Sequence, residues 1–186
     1  MREPALEKRP ITSLDLTFWG MVLFILFNSL CLLASVAHFR ASFGDPGIIP
    51  KGIEVPDYVD TAQLNTCAKC EMRWKPQRAH HCSECKACIF KMDHHCPWIN
   101  NCVGARNYKY FMQFVLFILA ASVLLCLLML LSFYFLLTAP NAKQIMRGKQ
   151  YTYAFILSIV AFVEGVLFVL FTWELLHEQI ESLEDN

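Results

Sequence analysis

Long apolar runs alternate with polar segments along this chain, and the runs are too long for the core helices of a small soluble domain. Three of them predict membrane-spanning helices, at residues 16–39, 111–139 and 151–176. A helix that crosses the hydrocarbon core of a bilayer, about 30 Å thick, needs about 20 predominantly apolar residues. Each run reaches that length, so we predict an all-α membrane protein with three transmembrane helices.

The polar segments divide the rest of the chain. The longest, residues 40–110, separates the first two predicted helices and begins with Gly-Asp-Pro-Gly at 44–47, a turn sequence typical of a helix end. Little of it is periodic, so we expect a module of loops and short hairpins that is organised by metal. The shorter polar segments are an N-terminal segment, a connector between the last two helices and an acidic tail, at residues 1–15, 140–150 and 177–186.

Composition supports a lipid environment and excludes one class of partner. Hydrophobic residues make up 56% of the chain, more than an ordinary soluble domain contains. Sixteen basic residues balance sixteen acidic ones, so the chain lacks the excess positive charge of a nucleic-acid-binding protein.

Cysteine usage indicates metal binding. Of the nine cysteines, Cys31 and Cys126 lie inside apolar runs, where small packing residues are expected. The other seven fall between Cys67 and Cys102, interleaved with four histidines. An odd number of thiols mixed with imidazoles favours metal over a disulfide framework, and metal-bound or reactive thiols need a reducing compartment. We therefore place residues 40–110 in the cytosol.

The basic residues do not favour this orientation. With three membrane spans, the N-terminal segment and the connector lie on the side opposite residues 40–110. Those two segments contain six basic residues: Arg2, Lys8, Arg9, Lys143, Arg147 and Lys149. The positive-inside rule would make their side cytosolic. We give the thiol chemistry more weight.

The cysteine spacings predict zinc. Two Cys-x2-Cys steps, at Cys67 and at Cys82, have the spacing with which a tight turn presents two thiolates to one tetrahedral ion. The cluster holds eleven Cys and His side chains, and two zinc ions need eight ligands. Spacing alone leaves open which three remain over, although neighbouring histidines such as His80 and His81 can hardly both face one metal.

One part of this cluster resembles a known family. Residues 93–104 read Asp-His-His-Cys-Pro-Trp-Ile-Asn-Asn-Cys-Val-Gly, followed by Asn107 and Phe111, and closely resemble the signature of the DHHC palmitoyltransferases. The stretch 75–82 and Asp45-Pro46-Gly47 also look like that family. The similarity covers roughly residues 30–180.

The resemblance implies a role for each residue of the cluster. One structural zinc ion would be bound by Cys67, Cys70, His81 and Cys88. The second would be bound by Cys82, Cys85, His95 and Cys102. The expected catalytic residues are Cys96, His94 and Asp93. The residues expected to contact coenzyme A phosphates are Lys75, Arg78 and His80, for which a solvated basic edge is an equally good interpretation.

The implied function is protein S-acylation. Cys96 would take a fatty acyl group from palmitoyl-CoA or another long-chain acyl-CoA and pass it to cysteines of substrate proteins. Such an enzyme is expected to be a multi-pass protein of Golgi or endoplasmic-reticulum membranes whose active site faces the cytosol. The substrates, the preferred chain length and the oligomeric state are not readable from the sequence.

The chain also departs from the family pattern. Family members usually have two helices before the cysteine-rich segment and a Thr-Thr-x-Glu motif after the last helix, so we expect this chain to be short at both ends. The alternative function is therefore a catalytically impaired relative that acts as a membrane zinc-binding scaffold. A membrane-bound RING-type ubiquitin ligase is disfavoured because its Cys-x-His-x2-Cys core is absent from the sequence.

Overall fold

The computed structural model describes residues 13–52, 65–138 and 149–184, which form three long helices and three two-stranded antiparallel hairpins. The helices are α1 (Ser13–Phe43), α2 (Tyr108–Thr138) and α3 (Lys149–Glu184). The hairpins lie between α1 and α2 and are formed by β1 (Asn65–Cys67) with β2 (Met72–Lys75), β3 (His80–Cys82) with β4 (Ala87–Ile89), and β5 (His94–Cys96) with β6 (Asn101–Val103). A 3-10 turn, Ala68–Cys70, connects β1 to β2.

Each helix contains a segment that is long and apolar enough to cross a membrane, Thr17–Phe43, Tyr108–Thr138 and Tyr151–Glu181. The expected three apolar helices, with the Cys/His cluster between the first two, are therefore confirmed. The helices also extend beyond the predicted spans, since α3 continues through acidic residues to Glu184. Most of the predicted N-terminal segment and of the connector lies outside the described residues.

Small residues let α3 approach α2 closely. A Cβ atom on Gly165 of α3 would lie 2.9 Å from Sγ of Cys126 and 3.7 Å from the carbonyl oxygen of Ser122, both on α2. Cys126 thus packs between helices, as its apolar surroundings in the sequence suggested. Farther along, the ring of Phe133 on α2 makes edge contacts with Phe155 and Phe162 of α3.

Two asparagines join the hairpins to the end of α1. Nδ2 of Asn101 donates to the carbonyl oxygens of Ala41, Ser42 and Gly44 at 3.1, 3.1 and 2.9 Å. The last carbonyls of a helix have no partner within the helix, so these side-chain donors complete α1. Asn107, which is fully buried, adds a bond to Ala41. The hairpin β5–β6 is thereby held against the end of α1.

The loop after α1 is attached to the loop before α2. Oδ1 of Asp45 accepts hydrogen bonds from the backbone N–H groups of Gly47 and Ile48, and Oδ2 accepts one from the Arg106 guanidinium. Gly104 lies where a Cβ atom would come within 2.4 Å of the Pro46 carbonyl oxygen. This close approach requires glycine and brings α1, α2 and the hairpins together at one level.

Candidate zinc sites and acyl-transfer centre

The hairpins present their side chains to alternate faces, which separates neighbouring residues of each His-His-Cys sequence. In β3–β4, His81 lies opposite Cys88, and in β5–β6, His95 lies opposite Cys102. Since successive residues of a strand point to opposite faces, each of these cross-strand pairs faces away from the residues on either side of it. The strand period therefore resolves the ambiguity between adjacent histidines that spacing left open.

The structure brings together the first predicted ligand set. The ligand atoms of Cys67, Cys70, His81 and Cys88 all lie within 4.8 Å of one another. Sγ of Cys70 is 3.1 Å from Nδ1 of His81 and 3.8 Å from Sγ of Cys88. A tetrahedron with zinc–sulfur bonds of about 2.3 Å has edges of about 3.8 Å, so the spacing suits one ion at the centre.

The second set is more regular. The ligand atoms of Cys82, Cys85, His95 and Cys102 also lie within 4.8 Å of one another. Nδ1 of His95 is 3.6, 3.4 and 3.6 Å from the sulfur atoms of the three cysteines in chain order, and Cys85 is 3.4 Å from Cys102. These distances are far longer than a disulfide bond of about 2.05 Å, and all the cysteines are free.

The electrostatics of the thiols favour a cation at each centre. Burial, together with the side-chain hydrogen bonds of Cys67 and Cys70, raises the pKa of Cys88 to about 12. Burial and the thiols of Cys82 and Cys85 also raise the pKa of Cys102. Several thiolates cannot share so small a space unless a positive ion balances them, and a coordinating thiol is deprotonated by its metal. The donor sets thus fit zinc.

The other face of β5 carries two of the predicted catalytic residues, His94 and Cys96, and the third, Asp93, directly precedes the strand. Nδ1 of His94 is 2.9 Å from Oδ2 of Asp93, and because a carboxylate can only accept, the imidazole N–H donates. The side chain of His94 also forms a hydrogen bond with the Cys96 thiol. The Asp93 hydrogen bond, followed by that of Cys96, raises the pKa of His94 to about 9.

Cys96 is 2% exposed and belongs to a buried cluster with Ile99, Val103 and Phe111. Burial raises the pKa of its thiol, but the hydrogen bond with His94 and those from the backbone N–H groups of Ile99 and Trp98 outweigh burial, so the pKa is lowered. The arrangement of carboxylate, imidazole and thiol is that of an activated nucleophile with an oriented base.

An apolar cavity of about 350 Å³ begins beside this centre and extends between α2 and α3. Phe111, which packs in the Cys96 cluster and makes an edge contact with the His94 ring, forms part of its wall. The rest of the wall is apolar and consists of Trp98, Phe114, Leu167, Phe168, Phe171 and Leu175. The site therefore combines a thiol with space for an aliphatic chain.

The residues predicted to contact coenzyme A belong to β2, β3 and the turn between them rather than to β5. Nζ of Lys75, at the end of β2, donates to the Ala79 carbonyl oxygen at 2.8 Å, so part of its donor capacity is used within the hairpin module. Arg78 is exposed in the β2–β3 turn with a φ of 62°, and His80 is exposed at the start of β3. Their role in binding phosphates stays a prediction.

Several residues at this site were not singled out from the sequence. Nε2 of His38 on α1 is 3.3 Å from the Trp98 carbonyl oxygen, and the exposed Trp98 ring packs edge-on against Phe171 of α3. A histidine in an otherwise apolar helix, near its polar end, was the only available signal for His38. The residues of α3 that line the cavity gave no signal in the sequence, because every position of an apolar helix is an equally good candidate for lining a cavity.

Comparison with known proteins agrees with this geometry. A family model described as DHHC palmitoyltransferase matches residues 60–186. The chain is 43% identical over 183 residues to Palmitoyltransferase ZDHHC3-A of Danio rerio, an alignment that covers 93% of this chain and 55% of that protein.

More distant relatives carry similar names. Identity is 41% over 165 residues to Palmitoyltransferase ZDHHC3 of Homo sapiens, covering 86% of this chain and 54% of the relative. It is 34% over 148 residues to Palmitoyltransferase ERF2 of Kluyveromyces lactis, covering 68% and 40%. The chain thus spans about half the length, or less, of these relatives.

Proposed function

The chain belongs to the DHHC palmitoyltransferase family, and we propose that it is a protein S-acyltransferase whose nucleophile is Cys96. The observation that carries this proposal is the position of the thiol. Cys96 is hydrogen-bonded to His94, His94 is oriented by Asp93, and the apolar cavity between α2 and α3 begins at the adjoining Phe111.

In the first half-reaction His94 accepts the thiol proton and Cys96 attacks the thioester carbonyl carbon of a fatty acyl-CoA. A new carbon–sulfur bond forms to Cys96, the bond to the coenzyme A sulfur breaks, and free coenzyme A leaves with a proton. Asp93 keeps the imidazole in the tautomer whose Nε2 can exchange that proton.

In the second half-reaction the thiol of a substrate protein gives its proton to His94 and attacks the acyl-Cys96 thioester. The acyl group moves to the substrate cysteine, and Cys96 leaves as a thiolate that recovers a proton from His94. The net reaction converts acyl-CoA and a protein thiol into coenzyme A and an S-acylated protein. Palmitoyl-CoA is the proposed donor.

The proposed mechanism explains why the helices are long and apolar. Burying an acyl chain is worth about 0.8 kcal/mol per methylene, so exposing a sixteen-carbon chain to water would cost roughly 10 kcal/mol. The cavity beside Phe111 and Trp98 would receive that chain directly from the acyl-CoA, while coenzyme A remains in water. We propose that the three helices span a Golgi or endoplasmic-reticulum membrane and that the hairpin module faces the cytosol.

The metal sites have a structural role in this proposal. Two zinc ions, bound by the two Cys3His sets, would hold the hairpins in register and supply no step of the reaction. Because His81 faces one set and its neighbour Cys82 belongs to the other, loss of either ion should disturb both. Lys75, Arg78 and His80 remain the proposed contacts for coenzyme A phosphates.

Incubation of the purified protein with alkyne-tagged palmitoyl-CoA tests the proposal. We expect hydroxylamine-sensitive label on the wild type and its loss in Cys96→Ser, with two zinc ions retained in both. Cys31→Ser is the matched control, because it also removes one thiol but from α1, and it should be labelled normally.

Two results would contradict the assignment. Label that persists in Cys96→Ser would place the nucleophile elsewhere. A zinc-replete, folded wild type that never acquires label, and that transfers none to a cysteine peptide, would instead favour the scaffold function.

A further inference from the structure

The hairpin module is built from three copies of one unit. Each copy begins with a residue of the first strand of its hairpin, which is followed by a Cys-x2-Cys turn or its equivalent. It ends in the second strand, three residues after the last position of that turn. The three copies occupy residues 66–73, 81–88 and 95–102. In the third copy the second cysteine of the turn is replaced by Ile99.

The turns of the three copies have the same backbone conformation. The residue after the second ligand position is in the left-handed region in each, with φ of 55° at Glu71, 51° at Lys86 and 48° at Asn100. In the first and third copies that residue also donates a backbone hydrogen bond three residues back, from Glu71 to Ala68 and from Asn100 to Pro97. A non-glycine residue at positive φ is uncommon. Arg78 and Lys91 also have positive φ, so the comparison depends on the left-handed residue falling at the same position of all three turns.

Backbone N–H groups point at the first sulfur of every turn. In the first two copies the sulfurs of Cys67 and Cys82 accept from the residues two and three positions later. The sulfur of Cys96 accepts from the same positions, Trp98 and Ile99. The turn that prepares a thiolate for zinc in the first two copies therefore prepares the Cys96 thiolate as well.

The copies also explain why Cys96 belongs to neither of the metal donor sets found among the residues that the structure describes. Each candidate zinc site takes two ligands from the turn of one hairpin and two from the cross-strand pair of the next hairpin. The turn of β5–β6 would need a fourth hairpin, but after β6 the chain enters α2 at Tyr108. Phe111 of α2 packs against Cys96 and Ile99.

We propose that Cys96 is the first cysteine of a third, incomplete zinc turn, and that Ile99 is a positioning residue that keeps metal away from it. The backbone N–H groups of Trp98 and Ile99 hold the sulfur in a thiolate-binding turn. Ile99, buried beside Cys96, contributes packing where the other two turns contribute a second thiolate. This inference rests on the proposed role of Cys96 as the nucleophile.

A second thiol at this position would convert the nucleophile into a ligand. The turn would then present two sulfurs at the spacing used by Cys67 with Cys70 and by Cys82 with Cys85. His94, already hydrogen-bonded to Cys96, could supply a third donor. Three protein ligands with a water molecule in the fourth position is an established zinc coordination in proteins.

The full chain carrying Ile99→Cys tests the inference. Purified in detergent from zinc-supplemented cells, it should contain three zinc ions where the wild type contains two, measured by plasma mass spectrometry. Cys96 should become protected from alkylation by a maleimide, located by peptide mass spectrometry. Acyl label should fall to the level of Cys96→Ser. Cobalt substitution should add thiolate charge-transfer absorption for two further sulfur ligands.

Matched variants separate metal capture from lost packing. Ile99→Ser introduces a side chain similar in size to cysteine but without a coordinating sulfur. Ile99→Val keeps an apolar, branched side chain. Both should retain two zinc ions, and Ile99→Val should retain the acyl label. The double variant Ile99→Cys with Cys96→Ser should return to two ions.

An Ile99→Cys variant that holds two zinc ions, with Cys96 alkylated and acylated as in the wild type, would overturn the inference. Failure of the proposed function gives a different pattern. In that case the wild type would take no label at Cys96, whereas Ile99→Cys would still bind a third ion.

Discussion

The two faces of the hairpin β5–β6 have the same kinds of side chain but different proposed roles. One face carries His95 and Cys102, which join a candidate zinc site with cysteines of the preceding hairpin. The other carries His94 and Cys96, which meet Asp93 and the first turn of α2. We therefore assign the proposed role of each imidazole and thiol, metal ligand or catalytic group, by the surface against which it packs.

The two faces differ in the side chains that surround their imidazole and thiol groups. On the metal side, the sulfur atoms of Cys85 and Cys82 lie 3.4 and 3.6 Å from Nδ1 of His95 and complete the donor set. On the helix side, the neighbours are Phe111, Ile99 and a carboxylate bound to the imidazole, which is why we propose Cys96 as the thiol that reacts. Removal of a side chain from the first face should therefore destroy the fold, and removal from the second should destroy only the chemistry.

The largest effect is expected for His95→Ala. This variant removes one ligand of the second site, and structural zinc contributes about 10–16 kcal/mol to small zinc-dependent folds. We expect loss of bound zinc and of cooperative thermal unfolding in detergent, measured by plasma mass spectrometry and by tryptophan fluorescence. A stable His95→Ala protein with two zinc ions would contradict the assigned ligand set.

The neighbouring substitution His94→Ala should behave in the opposite way. It removes the base from the helix side and leaves both donor sets intact, so zinc content and thermal stability should change little. The rate of acyl-Cys96 formation in a single turnover should fall about 10²- to 10⁴-fold. His177→Ala removes an exposed imidazole that contacts only the Glu181 carboxylate among the pairs described for it, so it is the control and should react at the wild-type rate. Equal rates for His94→Ala and the wild type would remove the general base from the mechanism.

A smaller effect is expected where the two faces are attached to α1. Asn107 makes three buried hydrogen bonds, to the carbonyl oxygens of Ala41 and Cys102 and from the N–H of Gly104. In Asn107→Ala these groups lose their partner, at about 1–3 kcal/mol for each group left unsatisfied. We expect a lower unfolding temperature with both zinc ions still bound. An unchanged unfolding temperature would show that the hairpins are attached in another way.

The smallest effect is expected for Arg106→Ala. The guanidinium of Arg106 bonds to Asp45, but both side chains are substantially exposed. Exposed ion pairs contribute about 1 kcal/mol or less, and salt screens them. Asp45 would keep its two backbone bonds to Gly47 and Ile48. We expect an unfolding temperature close to that of the wild type, and a large decrease would mean that this ion pair holds the loops together.

The sequence by itself determined the three apolar helices, the metal-binding character of residues 67–102 and, through the run at 93–104, the family. These features are local, because a bilayer sets the length of a helix and a tetrahedral ion sets the spacing of two thiols in one turn. The partition between ligands and catalytic residues came only from the resemblance, since spacing alone left three of the eleven candidates unassigned.

Only the tertiary structure decided which surface each side chain faces. Strand pairing places His95 opposite Cys102 and turns His94 and Cys96 toward α2, and the packing of α2 on α3 creates the cavity beside Phe111. The constant spacing already aligns Ile99 with Cys70 and Cys85, and the shared left-handed residue after each turn shows that the alignment also holds for the backbone. The facing of each side chain and the cavity depend on contacts between residues that are far apart in the chain, and local periodicity carries no information about them.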